Sequence, residues 1–201
     1  MPSAAAAILA ALPALVLLSA PEPAAVEPPP PGSEPSEPAK AAVAQYNASV
    51  IVSGVGAHDD RGWSGGAQLG LRPELILGRK DGHSLGGGPY LEANAHLASR
   101  GVAGLFGAGA SLLVPLGDSN ALVPSVGAYG TYSEALRFQP GVGAGLFFGA
   151  RLFNHRTFFD GAWGVRLDVR YGLGSAHEAM ASVGMQFDLS LAAFLLTWML
   201  Q

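Results

Sequence analysis

Strict alternation of apolar and polar residues runs through two neighbouring segments between Ala162 and Leu195. The apolar residues of these segments are Trp163, Val165, Leu167, Val169 and Tyr171, then Ala181, Val183, Met185, Phe187, Leu189 and Leu191. Because successive side chains of a β-strand point to opposite faces, both segments are predicted as strands with one apolar and one polar face. The short polar stretch between them makes a hairpin, and a hairpin needs a larger sheet to be stable.

Six further segments with similar alternation precede this hairpin. They are predicted as strands at residues 46–57, 66–78, 90–97, 102–116, 121–133 and 138–153. Helical periodicity is absent outside the N-terminal leader, and regularly spaced alternating strands are typical of a sandwich or a barrel. The sequence therefore predicts an all-β fold of eight strands.

The composition is unusual for a surface that faces water. Charged residues make up 13% of the 201 residues, hydrophobic residues make up 49%, and the only lysines are Lys40 and Lys80. The formal net charge is −4, and no basic stripe is present, so nucleic acid is not an expected partner. The absence of cysteine excludes disulfides, thiolate metal sites and a cysteine nucleophile.

The N-terminal region divides into a leader and a spacer. Residues 1–20 are predicted as a signal peptide, because the apolar run from Ala4 to Leu18 is too short to span a membrane and is followed by Ser19-Ala20. The alternative is a disordered Ala-rich leader. Residues 21–40 are rich in Pro and Glu and are predicted as a disordered linker, whose periplasmic partner, if it has one, is unknown. Residues 41–201 are predicted to form the barrel.

The content of the polar face indicates which side of the barrel it occupies. In residues 102–116 and 138–153 this face is largely Gly, Ala and Ser, and in the other strands it carries large charged groups. Glycine weakens a water-facing strand, but it would leave room for charged side chains in a narrow eight-stranded lumen. The predicted lumen ion-pair network consists of Arg72, Glu74, Glu92, His96, Arg151, Arg166, Asp168, Arg170 and Asp188.

With the charges inside, the apolar face must contact lipid, which predicts a transmembrane β-barrel whose lumen is plugged. Aromatic residues near strand ends would then form interfacial belts. They are Tyr46, Trp63, Tyr90, Tyr132, Phe153, Trp163 and Tyr171.

The final predicted strand carries a short motif. In residues 182–189, Ser182, Gly184, Phe187 and Leu189 fit the pattern polar-x-Gly-x-x-hydrophobic-x-hydrophobic. With the leader and the eight strands, this resembles the small outer-membrane β-barrel superfamily, which contains the outer membrane protein A-type barrels. The resemblance covers residues 41 to about 195 and implies that these four residues are a signal for the barrel assembly machinery. The apolar tail at residues 192–201 departs from the family, whose members commonly end at an aromatic residue.

Three motifs resemble catalytic or metal-binding sites, but each is better explained as a structural feature. The G-x-S-x-G match at residues 62–66 is predicted to be a loop, since no helix follows to form a nucleophile elbow. His58, Asp59 and Asp60, with His155 or His177, match no zinc or calcium spacing. The lipid A 3-O-deacylases carry a His-x-Ser pair. Here the residue two positions after His96 is Ala98, and Ser84 directly follows His83 with no residue between them, so neither histidine fits the pattern.

These observations predict an eight-stranded, antiparallel, up-and-down transmembrane β-barrel in the outer membrane of a Gram-negative bacterium, with both termini in the periplasm. The predicted outward loops are 58–65, 98–101, 133–139 and 173–179, and the periplasmic turns are 79–86, 117–120 and 154–160. The expected partners are outer-membrane lipid, including lipopolysaccharide, and the barrel assembly machinery.

The predicted role is non-enzymatic, structural or adhesive, with no cofactor and no metal. Two alternatives remain open: a soluble periplasmic lipid-binding β-barrel with an apolar lumen, and a lipid A-modifying acyl hydrolase.

Overall fold

The computed structural model describes residues 43–99, 101–133, 137–153, 161–175 and 177–189. The predicted signal peptide at 1–20, the predicted linker at 21–40 and the apolar tail at 192–201 lie outside these ranges. No helix in the described ranges is both long enough and apolar enough to cross a membrane.

Eight antiparallel strands form one closed barrel in chain order, and β8 pairs with β1. The strands are β1 (Val43–Asp59), β2 (Gly62–Arg79), β3 (Gly86–Ala98), β4 (Gly101–Pro115), β5 (Asn120–Ser133), β6 (Arg137–Leu152), β7 (Gly161–Gly172) and β8 (Ala179–Asp188). The prediction of an up-and-down, eight-stranded, all-β barrel is confirmed. Closure gives every strand two neighbours, so no sheet edge is left along the barrel wall.

The two faces of each strand differ as the alternation predicts. On β7, Leu167 is 48% exposed and Val169 is 59% exposed on the outer surface, whereas Arg166 is 3% exposed and Arg170 is 8% exposed inside the lumen. The apolar face therefore lies outside and the polar face lines the lumen. This confirms the prediction that the charged side chains point into the lumen and the apolar side chains point outwards.

The connection between β1 and β2 is shorter than predicted. The expected loop at 58–65 is wrong, because His58 pairs with Trp63 and Asp59 pairs with Gly62, so that only residues 60–61 turn. The Asp59 Oδ1 atom accepts a hydrogen bond from the Arg61 backbone N–H at 2.8 Å, and Gly62 adopts a φ of 100°. The G-x-S-x-G match consequently lies within β2 and forms neither a loop nor a nucleophile elbow.

A bulge near the end of β2 changes which side its last residue faces. Val43 pairs with Arg79 but Gln45 pairs with Ile76, so β2 has one extra residue at this point. Gly78 lies in the inserted stretch with a φ of 88°. The extra residue reverses the alternation and turns Arg79 into the lumen, where it is 1% exposed. The predicted turn at 79–86 is therefore too long, since Arg79 and Gly86 both belong to strands.

We expect Gly78→Ala to destabilise the barrel by about 1–2 kcal/mol, the cost of placing a side chain in the left-handed region. Gly56→Ala is the matched control, because a Cβ at Gly56 meets nothing within 4 Å and Gly56 has no positive φ. Urea unfolding of the protein refolded in lipid vesicles measures both variants. Equal unfolding free energies for the two would contradict the bulge.

Candidate functional site

Eight of the nine residues predicted to form the ion-pair network have side chains buried in the lumen. They are Arg72, Glu74, Glu92, His96, Arg151, Arg166, Asp168 and Arg170. The ninth, Asp188, is half-buried at the end of β8, where its Oδ2 atom accepts a hydrogen bond from Asn47 Nδ2 at 3.5 Å. His96 lies beside the network, but no ion pair joins it to another described residue.

Glu92, on β3, is the centre of the network. Its Oε2 atom lies 3.0 Å from Arg72 Nη1 and 3.8 Å from Arg166 Nη2, and its Oε1 atom accepts a hydrogen bond from Arg170 Nη2. Asn94 Nδ2 donates a further hydrogen bond to the same Oε1 atom at 2.5 Å. Three guanidinium groups from two strands thus surround one carboxylate that is 6% exposed.

Two further carboxylates neutralise the arginines around Glu92. Arg166 donates to both oxygens of Asp168, from Nε at 2.9 Å and from Nη2 at 2.6 Å, because residues two apart on a strand share a face. Glu74 accepts a hydrogen bond from Arg151 and lies 3.5 Å from Arg72 Nη2. Buried charges are tolerated only when paired and hydrogen-bonded in this way.

Aromatic rings pack against the buried arginines. The Arg72 guanidinium carbon lies 3.4 Å from the ring centroid of Tyr90, and the corresponding distance from Arg79 to Phe153 is 4.8 Å. The prediction that Tyr90 belongs to an interfacial belt is wrong, because Tyr90 shares the inward face of β3 with Glu92. Phe153 contacts a lumen residue instead of forming part of an outer belt.

Glycines make the space that these side chains occupy. A Cβ added at Gly145 would lie 2.5 Å from Arg166 Nη2 and still closer to Asp168 Oδ1. The remaining cavity beside Tyr90, Glu92, Asp168 and Arg170 measures about 20 Å³, which is room for about one water molecule. This part of the lumen is therefore filled by side chains and has no space for a larger ligand.

Apolar clusters flank the charged centre of the lumen, and sequence analysis missed both. The first, towards the barrel end at which β1 begins and β8 ends, is formed by Ile76, Leu113, Ala121, Val123, Phe147 and Ala162. The second, towards the opposite end, is formed by Val55, Ala57, Leu105, Tyr129 and Met180. Their inward orientation follows from the alternation of each strand, but the mixture of apolar and charged residues on one face concealed it.

Other lumen residues support the network and were also missed. Ser111 and Ser125 accept hydrogen bonds from Arg72 Nη2 at 2.9 Å and Arg166 Nη2 at 3.4 Å. Gln186 accepts from Arg166 at 3.4 Å and donates to Ser49 at 3.1 Å. Each of these residues lies on the inward face of its strand, an even number of positions from other inward residues. This spacing was the sequence signal that could have identified them.

Polar side chains of the turn between β2 and β3 make local contacts. Ser84 Oγ donates to the Asp81 carbonyl oxygen and accepts from the Lys80 backbone N–H at 2.7 Å, so it caps its own turn. His83 Nε2 lies 2.9 Å from Asp118 Oδ1, and both side chains are exposed. Glu178 lies in the connection between β7 and β8, at the other end of the barrel from Ser84. Burial raises the pKa of the Glu178 carboxyl, and the nearby Asp59 carboxylate raises it further. No group of three potential metal ligands occurs within the described part of the chain.

The four residues of the predicted assembly signal occupy both faces of β8 and its end. Ser182 is buried in the lumen, and Gly184 lies against Ser53 of β1. Phe187 is half-buried on the outer face, and Leu189, just after the strand, is 48% exposed. Recognition of these residues by an assembly machinery remains a prediction.

No protein-family model matches the chain, and no curated protein is significantly similar to it. Among solved structures, it is similar to a protein from work on the de novo design of transmembrane β-barrels. The identity is 10%, the match covers 70% of this chain and 95% of that chain, and the TM-score is 0.37. At this TM-score the likeness supports no conclusion about function, and the fold assignment rests on the strand pairing of the chain itself.

We expect Glu92→Gln to destabilise the barrel by about 3–5 kcal/mol, because the change removes the charge shared by Arg72, Arg166 and Arg170 and leaves the buried Arg170 without a counter-ion among the described residues. The free energy of unfolding in urea, measured by the gel mobility of the folded form, checks this value. Asp60→Asn is the control, since Asp60 is an exposed carboxylate in a turn, and it should change stability by less than about 0.5 kcal/mol. A Glu92→Gln barrel as stable as the Asp60→Asn barrel would contradict the central role of Glu92.

Proposed function

We propose that the protein is a non-enzymatic, integral β-barrel of the bacterial outer membrane with a structural role in the cell envelope. The observation that carries this proposal is the apolar belt around the barrel. Every strand contributes a large apolar side chain that is 48–64% exposed. These residues are, from β1 to β8, Val52, Leu69, Leu91, Phe106, Val126, Val142, Leu167 and Val183. A continuous apolar belt of this kind is characteristic of a surface that contacts lipid.

Aromatic residues border the belt at both ends. Trp63, Tyr132 and Phe138 are 56–78% exposed near the barrel end at which β1 finishes and β8 begins. Trp163 is 53% exposed near the other end. Aromatic side chains of this type are favoured at the level of lipid headgroups, because they have an apolar body and, in Trp and Tyr, a polar tip.

The filled lumen favours a structural role over transport or lipid carriage. A soluble lipid carrier needs an apolar cavity, whereas the centre of this lumen contains Glu92 and three arginines. An open pore needs a continuous aqueous channel, whereas apolar clusters flank the charged centre towards both ends. The filled interior therefore favours a barrel that acts through its outer surface and not through its lumen.

Turn lengths favour a structural role over adhesion. At the end where β1 finishes and β8 begins, the connections between strands comprise residues 60–61, 99–100, 134–136 and 173–178. At the other end they comprise residues 80–85, 116–119 and 153–160. If both termini are periplasmic, as proposed, three of the four connections on the cell surface are very short. Binding residues lie disproportionately on loops, and connections this short offer little surface to a partner.

The outer membrane is proposed from three features together. The leader at 1–20 is typical of an export signal, the last strand carries the predicted assembly signal, and closed barrels satisfy their backbone hydrogen bonds within lipid. The predicted insertion route is the barrel assembly machinery, and the predicted neighbours of the belt are outer-membrane lipids.

Fractionation of a Gram-negative host that expresses the full chain tests the location. We expect the protein in the outer-membrane fraction, resistant to alkaline washing and released by detergent. We also expect the unheated sample to migrate differently from the boiled sample on a gel, because a closed barrel resists denaturation by detergent. Recovery of folded protein in the soluble periplasmic fraction would contradict the proposal.

Leu167→Arg tests the lipid-facing surface. Leu167 lies near the middle of β7, so we expect a loss of about 2–4 kcal/mol of folding free energy in lipid vesicles, as for an arginine near the bilayer midplane. Leu85→Arg is the matched control, because Leu85 is 59% exposed but lies in the turn between β2 and β3. If both variants fold in vesicles with wild-type stability, the belt does not contact acyl chains.

A further inference from the structure

Four buried polar atoms without hydrogen-bond partners lie together on the inner face of β1, β2 and β3. They are Ser53 Oγ, Gln68 Nε2, Asn94 Oδ1 and His96 Nε2, and we call them the polar niche. Ser53 pairs with Gln68, and Gln68 pairs with His96, so these three residues form one row across the strands. None of the four residues is more than 7% exposed.

Asn94 belongs to the same site as the row. It lies two residues before His96 on the inward face of β3, opposite Gly70. A Cβ at Gly70 would overlap Asn94 Oδ1, so this oxygen lies directly over the backbone of β2. Gly70 and Gln68 are adjacent inward positions of β2, which brings the Asn94 oxygen beside the Gln68 amide.

The ion-pair network fixes the orientation of both amides. Gln68 Oε1 accepts a hydrogen bond from Arg170 Nη1 at 3.0 Å, and Asn94 Nδ2 donates to Glu92 Oε1 at 2.5 Å. Rotating either amide by 180° would place an NH₂ group against a guanidinium or an oxygen against a carboxylate. Gln68 therefore presents its NH₂ group to the niche, and Asn94 presents its oxygen.

We propose that the polar niche is a binding site for ordered water, with one or more molecules that bridge Ser53, Gln68, Asn94 and His96. The niche offers an NH₂ donor, a carbonyl acceptor, a hydroxyl that can do both and an imidazole nitrogen. This neutral and balanced set matches water, which typically makes about three hydrogen bonds when buried. An ion is a poorer match, because the nearest charged groups, Arg170 and Glu92, are already paired with each other.

The bound water has a supporting role for the network. Gln68 holds Arg170 and Asn94 holds Glu92, so a water that joins the two amides completes a ring around the central ion pair. This role is independent of the proposed location in the outer membrane, because it depends only on the closed lumen. The niche is thus a structural water site.

Nuclear magnetic resonance of the isotopically labelled full chain, refolded in detergent micelles, tests the site. In the wild type we expect cross-relaxation between a long-lived water and the side-chain NH₂ protons of Gln68, and between the same water and the His96 ring. Ser53→Ala removes one partner without touching the ion pairs, and it should weaken these signals. Ser53→Ala combined with His96→Phe removes two of the four partners and should weaken the water signal at the Gln68 amide further.

Thr131→Val is the matched control. Thr131 Oγ1 is also buried and unpartnered, but it lies on β5, separated from Asn94 by Leu105 in the strand pairing. This variant should keep the water signals of Gln68 and His96. The proposal is overturned if the wild type shows no long-lived water at the Gln68 amide, or if that amide bonds directly to Asn94 or His96. The wild-type spectrum decides the question even if the double variant does not fold.

Discussion

The narrow barrel encloses five guanidinium groups, and their burial determines which other side chains can line the lumen. Arg72, Arg79, Arg151, Arg166 and Arg170 are each at most 8% exposed. Buried charge is stable only with counter-charges and hydrogen bonds on the remaining atoms. The inward carboxylates of Glu74, Glu92 and Asp168 pair with four of these arginines, and Gln45 accepts a hydrogen bond from the fifth, Arg79, at 3.1 Å. Glycines on the facing strands keep the lumen wide enough for these long side chains.

The fold could be predicted from the sequence because alternation determines which face each residue occupies. On β7 the pattern is unbroken, and the observed faces follow it from Trp163 to Tyr171. The prediction failed where a local feature outweighed composition. Residues 62–65 look like a loop because they are Gly- and Ser-rich, yet the backbone pairs of a hairpin continue through them. Arg79 was placed in a turn because nothing in the sequence announces the bulge at Gly78.

The membership of the charged site could be predicted, but its pairing could not. Alternation places Arg170 inside the barrel, but it carries no information about height or about the opposite wall. The partners of Arg170 are Gln68 and Glu92, which lie 102 and 78 residues away in the chain. Such contacts depend on the tilt and stagger of the closed barrel. Tyr90 and the apolar clusters of the lumen do follow the alternation of their strands, and it was their apolar character that concealed their inward orientation.

The hydrogen bonds that Arg166 and Arg170 make across the lumen also bear on how the chain reaches its native state. These two side chains start on β7 and reach partners on β2, β3, β5 and β8. An incompletely curled sheet would hold the same charges at a distance and in water, where their attraction is weak. The favourable energy of the Arg170–Glu92 pair, which joins β7 to β3, is gained only when the sheet curls towards closure. We therefore expect closure of the barrel and formation of this pair to be coupled.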